Sequence, residues 1–136
     1  IYSRRRGMKV QIDGAPSFAH LHIDLEPGES IVAESDAMAS MSAEIEMQTR
    51  FNGGFFRGLL RRFLGDESLF INQFINNSNT PKRITLTQAT PGDIRMIELN
   101  NSTICLQPGA YIASSPELNL GIRYAGLASF IAREGL

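Results

Sequence analysis

Near the start of the chain, two histidines and two carboxylates stand close together: His20, His22, Asp24 and Glu26. Because side chains alternate across an extended strand, His20, His22 and Asp24 share one face, opposite Leu21, Ile23 and Leu25. Two imidazoles and a carboxylate make an open site for Fe, Mn or Zn, since these ions take nitrogen and oxygen ligands and leave positions for water. Glu26 directly precedes Pro27-Gly28, a turn signal that can aim its carboxylate at solvent. Read without a metal, the same residues form the polar face of a half-buried strand.

Other chemistry is sparse. Cys105 is the only cysteine, so no intrachain disulfide can form, which suits a reducing compartment. Its β-rich surroundings hold no adjacent base and predict a buried, inert thiol. Ser114-Ser115 precedes Pro116 and lacks the G-x-S-x-G context of a nucleophile elbow. Gly53 and Gly58 have phosphate-loop spacing, but Leu59-Leu60 stand where Lys-Ser/Thr must reach the phosphates. No constellation supports an enzyme. The text from Gly14 to Glu26, G-x5-H-x-H-x3-E, resembles most of the first metal-binding motif of cupins. That resemblance implies a divalent metal on His20, His22 and Glu26, with Asp24 as a substitute ligand. Ala33 stands where the motif closes on glycine, and the chain has no third histidine.

A second feature is a basic amphipathic segment bracketed by Gly53-Gly54 and Gly65. On a helical period, Phe55, Phe56, Leu59, Leu60, Phe63 and Leu64 cover one side, and Arg57, Arg61 and Arg62 the other. Three roles fit it: a cap over the core, a surface that docks a partner or second subunit, or a contact with anionic membrane lipid. At under four turns it is short for stable membrane anchoring by itself.

The elements that must position these residues are strands. Strict alternation marks Leu21–Leu25 and Glu44–Phe51, and Ile84–Gln88, Ile94–Leu99 and Thr103–Leu106 are β-rich. Leu69–Ile75 is apolar on both faces and reads as a central strand. Pro-Gly turns punctuate the runs at Pro27-Gly28, Pro91-Gly92 and Pro108-Gly109. Many short strands at this spacing predict an all-β sandwich or jelly-roll barrel, interrupted by the one short helix or loop insertion. The pattern L-x-P-G-x-x-I occurs twice, at Leu25–Ile31 and Leu106–Ile112; internal duplication and chance recurrence of a common hairpin turn both account for it. Residues 1–7 read as a basic leader and 8–136 as one domain of ordinary size. With 13 Lys+Arg against 14 Asp+Glu, nothing pulls the chain toward nucleic acid. No apolar run reaches the roughly 18 residues of a membrane span, and no secretory h-region follows the leader, so a cytoplasmic protein is expected.

Several pieces together resemble one family. Ala33–Met41, Gly53-Gly54 through Gly65–Phe70, Pro91–Ile94, Gln107–Ala113, Gly126-Leu127 and Glu134–Leu136 occur in the order and spacing of the family named for altered inheritance of mitochondria 24. The resemblance covers nearly everything from Met8 onward. It implies a double-stranded β-helix similar to the tryptophan RNA-binding attenuation protein, and homo-oligomers. It implies no catalytic residues. Members of that family run past Leu136 into further strands, so a chain shortened at its C-terminus is expected.

Overall fold

Alternation and turn chemistry become strands and hairpins in the computed structural model, which describes residues 8–50, 71–107, 109–124 and 128–134; at residue 50 and beyond residue 120 only the backbone is described. The strands are β1 (Lys9–Asp13), β2 (His20–Leu25), β3 (Ser30–Glu34), β4 (Met38–Met41), β5 (Ile45–Arg50), β6 (Ile71–Asn76), β7 (Lys82–Thr87), β8 (Thr103–Leu106), β9 (Ala113–Ser114), β10 (Leu118–Tyr124) and β11 (Ala128–Glu134). They form two four-stranded sheets, β1-β2-β7-β4 and β5-β6-β3-β9, and a three-stranded sheet, β10-β11-β8. Among the described residues these strands pair antiparallel throughout. The fold is an all-β sandwich, as its sequence predicts.

The two four-stranded sheets bury their alternate residues against each other. Leu21, Ile23 and Leu25 of β2, with Ile84 and Leu86 of β7, meet Ile31 and Ala33 of β3, Phe74 of β6 and Ile45 of β5. Each fully buried Leu, Ile or Phe contributes about 1.5–3 kcal/mol by leaving water. β3 is also covered on its other side, where Val32 packs with Ile71 and Tyr111. β6 lies between β5 and β3, the central position expected for the apolar run that contains it.

The doubled L-x-P-G-x-x-I pattern has a structural counterpart. Glu29 N–H donates to the Glu26 carbonyl at 2.9 Å, and Ala110 N–H donates to the Gln107 carbonyl at 3.1 Å. Gly28 and Gly109 turn at φ 83° and 84°, a region that costs a side chain energy but glycine little. In the repeat, Val32 corresponds to Ala113 and Ala33 to Ser114. In the ladder, Val32 pairs with Ser114 and Ala33 with Ala113. The two copies therefore meet through equivalent residues across a local two-fold.

Two expectations need correction. Ile94–Leu99 is irregular backbone rather than a strand, although Ile94 and Leu99 are buried; the side chains anchor the segment without a continuous ladder. Cys105 is exposed, because Thr103 and Cys105 share the outward face of β8 while Ile104 and Leu106 take the covered one. The Phe55–Leu64 segment and residues 1–7 lie outside the described residues.

Candidate functional site

Register decides which polar groups meet on the outer face of β2. Asp13 pairs with His20, Gln11 with His22 and Lys9 with Asp24 on one side. Thr87, Thr85 and Arg83 take the same places on the other. The Asp13 carboxylate sits 3.3 Å from His22 Nε2. The ligating atoms of Asp13, His20 and His22 all lie within 4.8 Å of one another. Gln11 Nε2 donates to both Asp13 oxygens at 3.0 Å, His22 Nδ1 lies 2.9 Å from Thr85 Oγ1, and His20 Nδ1 lies 3.2 Å from the Phe18 carbonyl oxygen. The two imidazoles meet edge to face with centroids 4.9 Å apart.

The structure thus gathers the two histidines but replaces their expected carboxylate. Glu26 lies past the end of β2 in the Pro27-Gly28 turn, four residues from His22, which is roughly 13 Å along an extended chain. Asp24 shares the face, yet Arg83 claims it through two hydrogen bonds, at 2.7 and 3.0 Å. That hydrogen bond and the guanidinium charge hold the Asp24 carboxyl below its usual range against a smaller effect of burial. The carboxylate that stands beside the histidines is that of Asp13. The signal for it was present: Val10 and Ile12 alternate with Lys9, Gln11 and Asp13, and a hairpin across Gly14 brings that outward row beside the histidines.

The inner face of the same two strands lines an apolar cavity of about 410 Å³. Val10, Ile12 and Ile23 contribute from β1 and β2, Ile31 from β3, and Met96 and Ile112 from the irregular segments. Its polar members Gln88, Asp93 and Arg95 all come from one stretch after β7, where Arg95 and Asp93 form an ion pair at 3.4 Å. Tyr111 is buried beside the cavity, its hydroxyl 2.8 Å from Ser114 Oγ and donating to the Val32 carbonyl at 3.2 Å. Burial pushes that phenol above its ordinary range, so it stays a neutral hydrogen-bonding group. Ser114 and Ser115 are both buried. No helix among the described residues is long and apolar enough to cross a membrane.

Comparison with known proteins places this geometry. The family model for mitochondrial biogenesis AIM24 matches residues 10–136, and the chain belongs to that family. An uncharacterized protein of Streptococcus pyogenes serotype M6 is 28% identical over 137 residues, covering 95% of this chain and 54% of the relative. The crystal structure of a Streptococcus pyogenes protein superposes with a TM-score of 0.72 at 27% identity, covering 96% of this chain and 62% of the other. The chain therefore spans little more than half the length of these relatives.

Proposed function

We propose that this member of the AIM24 family is a non-enzymatic binding protein that shelters an apolar group between its sheets and acts as a homo-oligomer. The cavity of about 410 Å³ carries the reading. Its volume falls within the roughly 300–1,000 Å³ of small-molecule sites, and its lining is mostly aliphatic with a few polar groups on one stretch. That asymmetry fits an amphiphile: an acyl chain against Val10, Ile23 and Ile31, with a polar head near Gln88, Asp93 and Arg95. The apolar side of Phe55–Leu64 supports assembly, as do Phe18 and Met47, exposed by 71% and 49%.

Displacement of a fluorescent fatty acid by oleate tests the binding. Saturable binding near one equivalent per chain is expected, with loss in Val10→Trp, where an indole fills the space from the partly buried β1. No binding up to the solubility limit, or binding unchanged in a folded Val10→Trp protein, overturns the reading.

A further inference from the structure

We propose that Asp13, His20 and His22 form a binding site for a borderline divalent transition ion such as Zn²⁺, Co²⁺ or Ni²⁺ on the outer face of the β1–β2 hairpin. The site is independent of the cavity, which lies on the other face of the same strands.

Spacing is the first argument. Two ligands about 2.1 Å from an ion, at angles between square and tetrahedral, stand about 3.0–3.4 Å from each other. Asp13 Oδ2 and His22 Nε2 already stand at 3.3 Å. The third ligand atom, from His20, lies within 4.8 Å of the other two.

The supports behind the ligands are the second. Metal-bound imidazoles and carboxylates are commonly held from behind by hydrogen bonds that fix tautomer and orientation. All three ligands have such a partner. The Phe18 carbonyl can only accept, so His20 Nδ1 carries the proton there and Nε2 presents its lone pair. Thr85 Oγ1 at 2.9 Å steadies His22 through Nδ1, leaving Nε2 toward Asp13. Gln11 clamps both oxygens of Asp13.

A plain ion pair between His22 and Asp13 explains one contact of this group. It leaves unexplained a second imidazole set edge to face against the first, with its own supporting carbonyl. Two nitrogens and one oxygen select zinc and its neighbours over Ca²⁺ or Mg²⁺, which prefer all-oxygen shells. The His22 and Asp13 side chains are 22% and 41% exposed, so water completes the coordination and the ion exchanges with solvent.

The test uses the whole chain, stripped with chelator and then titrated with Co²⁺ while its visible absorption is recorded. One equivalent should bind, Zn²⁺ should displace it, and Ca²⁺ should not. Asp13→Asn, His20→Ala and His22→Ala should each weaken binding at least tenfold, whereas Asp24→Asn should leave it within about twofold. Circular dichroism confirms that each variant is folded, and Thr85→Val, which keeps all three ligands, should weaken binding by a smaller factor. Failure to bind Co²⁺ at millimolar concentration, or equal binding by folded Asp13→Asn and His20→Ala proteins, overturns the proposal.

Discussion

Asn76 is a polar side chain with no exposed surface, and it ties three segments together. Its amide donates to the Leu25 carbonyl at 2.8 Å and to the Thr80 carbonyl at 2.9 Å, while its Oδ1 accepts from Ser78 N–H at 3.0 Å and Ser78 Oγ at 2.6 Å. Its backbone bonds Glu29 and Gly28 across the first Pro-Gly turn. Truncating such a group leaves several buried partners unpaired, each at about 1–3 kcal/mol. Asn76→Ala should therefore destabilise by about 3 kcal/mol in urea unfolding, despite adding no charge and breaking no apolar contact. A loss below about 1 kcal/mol would mean that water repairs the site. Glu34 supplies the pH-dependent counterpart. Burial first, and then the charge of Asp36, raise its carboxyl above the ordinary value. The folded state thus holds this proton more tightly than the unfolded state. Its contribution to stability is present at low pH and is lost as pH rises through the carboxylate range. Glu34→Gln should raise the melting temperature at pH 7 and leave it nearly unchanged in acid below that range.

At the scale of elements, β2 separates two kinds of turn glycine. Gly28 turns at φ 83° with open space where a Cβ would stand. Gly28→Ala should cost only the conformational penalty, about 1–2 kcal/mol. Gly14 turns at φ 74°, and a Cβ there would stand 2.3 Å from the Phe18 carbonyl oxygen and 3.2 Å from His20 Nδ1. Gly14→Ala must displace backbone, so it should cost more than Gly28→Ala in parallel thermal melts. It should also weaken Co²⁺ binding, because Phe18 and His20 move together. Elements of this kind were legible wherever a period and a punctuation mark coincided: β2 and β5 follow their alternation, β6 lies in the run that is apolar on both faces, and the turns at Gly28 and Gly109 follow Pro-Gly. Ile94–Leu99 was not legible as irregular backbone, since a β-rich run does not record whether a neighbouring strand pairs with it. The histidines were legible as a face, but their carboxylate was sought along the same strand. Asp13 reaches them across a ladder, and that is a matter of register, which single-strand spacing does not encode.

For the whole molecule, the question is where apolar surface ends as core and where it continues as interface. Phe74, Leu25, Ile84 and Leu86 are wholly buried among the described residues, and they join sheets that already face each other. Phe55–Leu64 lies outside the described residues, and its six apolar groups can complete that core or, as in the proposed function, make an assembly surface. Leu60→Asp distinguishes the two uses. Against a core, a new charge costs several kcal/mol, enough to unfold a domain whose total stability is of order 5–15 kcal/mol. On an assembly surface, the same charge leaves the subunit folded and removes the association. Light scattering of the unaltered protein at tens of micromolar should show an oligomer, and Leu60→Asp should scatter as a monomer with a melting temperature within a few degrees. Recovery of insoluble or unfolded Leu60→Asp protein would assign the segment to the core, and a monodisperse monomer of the unaltered chain would remove the oligomer altogether.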